Sequence, residues 1–172
     1  MPDAYDRSRE RWGPWQPKGI EMPVPEDPYE LCSVAWGGDE FRVVFDGTDV
    51  RVVVIFNIDV VLSVRWAEES DRHNTLGYWV RSLEALGDDV EMPAGDLLFE
   101  VHDSEFQEWI HRESAYGYEV GTVRHFCLMG YNDFVDVLAY AEPRVELQYV
   151  STPKQEGEEN SGSSGFLVGS TG

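Results

Sequence analysis

The chain has 172 residues, 42% hydrophobic and 13% aromatic, with 33 acidic against 13 basic side chains and a formal net charge of -20. That length and apolar content carry one domain with a core rather than two. Such a field repels nucleic acid and anionic membrane surfaces and attracts cationic partners; no apolar run approaches the roughly 18 residues of a membrane span and no secretory leader is written at the N-terminus, so a cytoplasmic protein is expected.

Residues 1–28, rich in Pro, Gly, Arg and Trp without a strand or helix period, read as an extended arm that Trp12 and Trp15 pin to the body. Residues 29–150 form the expected domain. "ELCSVAW" (30 to 36) and "EFRVVFDG" (40 to 47) alternate as strands across a Gly37-Gly38 turn, and Asp46-Gly47 turns into "VRVVVIF" (50 to 56). "IDVVLSVRW" (58 to 66) places Ile58, Val60, Leu62, Val64 and Trp66 on one face, completing an expected four-strand antiparallel meander. Cys32 and Cys127 sit far apart in apolar strand contexts and read as two buried, reduced thiols.

The period changes to 3.6 at residues 70–89, where Leu76, Trp79, Val80, Leu83 and Leu86 make one stripe and Gly87 closes the helix. After a short strand at "DLLFEV" (96 to 101), "HDSEFQEWIHRESAYG" (102 to 117) reads as a second helix. Ser104 with Gln107 fits the capping-box pattern there, and Gly117 is expected as the left-handed stop. At 100° per residue, Phe106, Trp109, Ile110 and Tyr116 share the inward arc while Glu108 and His111 project to solvent beside Ser104 and Gln107. Strands at 123–130, 134–140 and 144–150 finish the domain, with Tyr131-Asn132-Asp133 as a turn, and the Gly/Ser/Glu-rich residues 151–172 read as a flexible tail. The expected fold class is α+β, a mostly antiparallel sheet with two amphipathic helices on one face.

Glu108 and His111 have the Glu-x-x-His spacing of a bundle metal site, yet such a site needs inward-pointing ligands and a second copy of the motif on another helix. No metal and no cofactor is therefore expected. His125 and Cys127 share a strand face. The helical wheel turns Glu113 inward, where it would pair with an arginine such as Arg124 or Arg65, but a polar residue in the last turn is more often released to solvent as the helix frays, and that is the preferred reading. These three define the alternative reading, a pocket for a small ligand or an enzyme, although no third catalytic partner is marked and no nucleotide-binding or hydrolase motif is present.

Between residues 30 and 150 there are 24 acids and eight bases, all of the bases Arg. Glu68, Glu69 and Asp71 lead into the first helix; Asp88, Asp89, Glu91 and Asp96 follow it; Asp103, Glu105 and Glu108 load the start of the second. Glu68, Glu69, Asp88, Asp89 and Glu105 are the expected partner-binding residues, against the plainer explanations of solubility or a salt-loving host.

"LLFEVHDSEFQEWIHRESAYG" followed by "VRHFCLMGYNDFVDVLAYAEPRVEL", about residues 97 to 147, resembles small acidic bacterial proteins similar to the immunity proteins of polymorphic toxin systems. The matching features are Asp103-Ser104-Glu105, Trp109, Glu113-Ser114 to Gly117, and Asp136-Val137-Leu138 before Pro143. The resemblance implies a toxin-neutralising role and supplies no catalytic residue. Charge adds the expectation that the cognate toxin is basic, for instance a nuclease. A DNA-mimicking inhibitor of a DNA-binding enzyme is a third reading of the same charge, and oligomeric state is left open.

Overall fold

A computed structural model describes residues 9–24, 26–68, 73–87, 97–115 and 117–150. Among them, nine strands and two helices build an α+β fold. In chain order these are β1 (Arg11–Pro14), β2 (Glu30–Gly37), β3 (Glu40–Asp46), β4 (Val50–Asn57), β5 (Val61–Glu68), α1 (His73–Leu86), β6 (Leu98–His102), α2 (Glu105–Glu113), β7 (Arg124–Met129), β8 (Asp133–Ala139) and β9 (Arg144–Tyr149). The strands form two antiparallel sheets, one of five in the order β1-β6-β7-β8-β5 and one of four in the order β9-β4-β3-β2.

The sheets pack face to face because each strand alternates. Phe41, Val43, Phe45, Val52, Val54 and Phe56 of the four-stranded sheet meet Leu98, Phe126, Leu128, Val135 and Val137 of the five-stranded one in a single core. The Phe126 ring, edge-on to Trp15 at 5.2 Å and to Phe56 at 5.8 Å, stands at its centre. Each side chain of this size, fully buried, contributes about 1.5–3 kcal/mol. The alternate residues of the five-stranded sheet face the helices. Trp79 and Leu83 of α1 cover Trp12, Phe99, Val101, Cys127 and Phe134, and Phe106 and Ile110 of α2 pack with Leu62, Val123 and Leu138. Val80, expected on the α1 stripe, is exposed instead.

Several local expectations change. The meander holds for β2, β3 and β4, but the next strand leaves it: Asn57 accepts the Asp59 amide at 2.9 Å, a 3-10 turn at Ile58–Val60 redirects the chain, and β5 pairs with β8. The fourth place beside β4 goes to β9. A register shift between Val61 and Ser63 then breaks the expected one-face set, so that Val61 and Val64 reach the inter-sheet core while Leu62 packs under α2. The segment read as an arm supplies β1, whose Trp12 is 2% exposed. At the end of α2 the left-handed residue is Ala115, with φ of 51°, rather than Gly117. Of the two free thiols Cys127 is buried and Cys32 exposed, so only one lies in the expected interior.

Candidate functional site

The five carboxylates expected to meet a partner divide by position. Glu69, Asp88 and Asp89 lie outside the described residues. Glu68 and Glu105 are both exposed, Glu68 ending β5 opposite Asp133 and Glu105 opening α2. They do not form one cluster. Glu105 follows Ser104, which bonds to His125 in the register row of Leu138, five residues along β8 from Asp133; at about 3.3 Å per residue that is roughly 16 Å.

Each carries an exposed tryptophan beside it. On β5, Trp66 points to the same face as Val64 and Glu68, the face turned toward the other sheet. As β5 is the outermost strand, the ring is left 60% exposed. Its indole N–H donates to Asp133 Oδ1 at 2.9 Å, which fixes the ring's orientation without covering it. On α2, Trp109 stacks on Phe106 with ring centres 6.1 Å apart and is 48% exposed; Glu105, Glu108 and Glu113 are exposed around it. Two amphipathic rings, each about half exposed and rimmed by carboxylates, are the side-chain type that dominates protein interfaces.

Charge compensation is uneven. Arg42, Arg51 and Arg144 are engaged on the four-stranded sheet by Glu40, Asp46 and Glu146. Arg124 grips Glu100 at 2.7 Å and Glu142 at 2.6 Å. These hydrogen bonds from Arg124 hold both glutamates below the usual carboxylate range. Among the described residues, no ion pair engages Glu68, Glu105 or Glu108.

Beneath α2 runs a polar chain. His125 Nδ1 lies 2.7 Å from Ser104 Oγ and its Nε2 lies 2.9 Å from Asp136 Oδ1, while Arg65 Nε donates to Asp136 Oδ2 at 2.9 Å. The Arg65 guanidinium in turn sits over the Phe106 ring at 4.3 Å. Asp136 is 0% exposed, and a carboxylate buried this deeply is tolerated only when paired and hydrogen-bonded. The set has the side chains of a hydrolytic triad, but Ser104 is 2% exposed and its Oγ already accepts the Gln107 amide at 3.0 Å as the cap of α2. The hydroxyl has no open side for a substrate. What the chain does is fasten the start of α2 to β7, β8 and β5.

This anchoring corrects the helical wheel. Gln107, expected in solvent, is buried and donates to the Val123 carbonyl at 3.1 Å; His111 packs edge-on to Tyr118 at 5.0 Å; Trp109, expected inside, is turned out. Glu108 is exposed. Glu113 is exposed, as preferred for a polar residue in the last turn, and the alternative partners are engaged elsewhere, Arg65 by Asp136 and Arg124 by Glu100 and Glu142. His125 and Cys127 are interior, so the structure does not gather Glu113, His125 and Cys127 into a pocket. Among the described residues no group of three or more His, Cys, Asp or Glu is placed to hold a metal, and no helix is long and apolar enough to cross a membrane.

Sequence reasoning passed over Trp66, Asp133 and Asp136 as site residues. Asp136 carried a usable signal: Phe134 and Leu138 flank it on one face and Val135 and Val137 on the other, so a charge there is enclosed and must be paired. Trp66 carried none, since an alternating pattern marks a face but not whether the strand is outermost. No family model, no curated protein and no solved structure matches the chain.

Proposed function

We propose that this chain is an immunity-type binding protein that acts in the cytoplasm and neutralises a cognate basic toxin, a nuclease in the simplest case, by covering its active site with carboxylates. The observation that carries the reading is the coincidence of half-exposed tryptophans at Trp66 and Trp109 with exposed carboxylates that no ion pair among the described residues engages. Carboxylates steer a cationic partner and speed encounter. The rings supply contact area at small cost in side-chain entropy, and truncating such an anchor typically removes about 2 kcal/mol or more of binding. The resemblance of residues 97 to 147 to immunity-like proteins supports the same reading.

The test is co-expression with the product of the adjacent reading frame. The native chain is expected to protect cells from that product. A variant carrying Glu68→Gln, Glu69→Gln, Asp88→Asn, Asp89→Asn and Glu105→Gln, folded as judged by its melting curve, is expected to lose protection. Full protection by that variant would remove these residues from the binding surface, and no toxicity to protect against would remove the function.

A further inference from the structure

We propose that the open edge of β5 receives an extended, basic segment of the partner as an added strand, a mode of docking that rests on the toxin-binding reading above. β5 ends the five-stranded sheet, and no described strand pairs with its outer side. Among the described residues, the alternate backbone N–H and C=O groups along that side are left for an incoming strand. The opposite end of the same sheet is closed, because the Trp12 amide donates to Ser82 Oγ of α1 at 3.0 Å.

The chemistry of the edge selects the occupant. A strand laid beside β5 sends alternate side chains past Val64, Trp66 and Glu68 on the sandwich side and past Ser63, Arg65 and Ala67 on the helix side. Trp66, oriented by Asp133, offers a flat apolar contact; Glu68, two residues on, offers a carboxylate with no ion-pair partner among the described residues. The complementary sequence is an apolar residue followed or preceded at the second position by Lys or Arg. Asp59, exposed just before β5, extends the negative potential to the other end of the edge, and the one cation of the strand, Arg65, is already held by Asp136. The edges of the other sheet, which no described strand covers either, lack this bias, since their neighbouring face carries Arg42, Arg51 and Arg144 in ion pairs. A second copy of this chain is a poor occupant, because two molecules of charge -20 repel.

The experiment uses the full chain and, as probe, the purified and catalytically inactivated product of the adjacent reading frame. In the complex, amide hydrogen exchange across residues 61–68 is expected to slow at least tenfold while exchange in 144–149 is unchanged. Trp66→Ala, which should fold because the ring is mostly exposed, is expected to weaken binding at least tenfold, and Glu68→Lys likewise. If the probe binds the native chain but the exchange of 61–68 is unaltered and Trp66→Ala binds as tightly as native, strand addition at β5 is overturned while the toxin-binding reading stands. If the probe does not bind the native chain at all, the functional reading falls and this inference with it. Dimerisation of the chain alone that disappears in Trp66→Ala would assign the edge to self-association and overturn the proposal.

Discussion

The two outer strands of the five-stranded sheet each carry a tryptophan, and their fates are opposite. On β1, Trp12 is sealed between the sheet and α1, in contact with Phe99 and Phe134, and Ser82 takes its backbone amide. On β5, Trp66 faces the sandwich yet overhangs it, and its only described hydrogen bond is to Asp133. An exposed sheet edge invites pairing with other chains, and proteins usually cover it or load it with charge. Here one edge is covered and the other carries Glu68 beside an uncovered ring. The closed edge serves stability, and the edge that no described strand covers is the one proposed for recognition.

Substitutions that exchange the roles of the two edges should break this contrast most visibly. Trp12→Ala removes a fully packed ring and is expected to cost about 3–5 kcal/mol in a urea unfolding experiment, whereas Trp66→Ala should cost about 1 kcal/mol or less. Equal losses would mean that Trp66 is a core residue. Next in size is Asp136→Ala, which leaves Arg65 and His125 without their shared carboxylate and is expected to destabilise by about 3–5 kcal/mol. Because the same carboxylate ties β5 to β8, native-state hydrogen exchange in 61–68 should quicken in this variant before exchange in β1 does. Ser82→Ala should cost about 1 kcal/mol by leaving the Trp12 amide unpaired, and a neutral result would show that water reaches the closed edge.

A smaller effect concerns pH. Glu100 and Glu142 are held below the usual carboxylate range by hydrogen bonds from Arg124, so their contribution to stability is present above that range and is lost as pH falls through and below it. Unfolding midpoints measured from about pH 7 down to about pH 3 should decline, and Arg124→Gln should flatten the decline. A slope untouched by Arg124→Gln would move the acid sensitivity elsewhere.

Much of this architecture is legible in residue order. Alternation located β2, β3, β4 and the three late strands, and the 3.6 period with Ser104 as a cap located α2, because both signals are local. Strand partners are not local. Nothing in "IDVVLSVRW" says that β5 abandons β4 for β8, since the alternating face is the same in either sheet and one shifted residue near Val61 reassigns it. The phase of α2 was missed because a helical wheel weighs hydrophobicity, whereas Gln107 is drawn inward by the Val123 carbonyl and Ser104 by His125. As for the surface, Glu68 and Glu105 could be found from charge, but the rings that make those places more than solvated acids become visible only when the outermost strand is known.

If the carboxylates meet a cationic partner as proposed, the association rate of the chain with the adjacent gene product measures that directly. Between about 0.01 M salt, where screening acts over about 30 Å, and about 1 M, where it acts over about 3 Å, the rate is expected to fall at least tenfold for the native chain. It should fall far less for the variant lacking Glu68, Glu69, Asp88, Asp89 and Glu105 carboxylates, with both proteins folded throughout. A native association rate indifferent to salt, or a chain that folds only in molar salt, would contradict the account and return the charge to solubility or to a saline host.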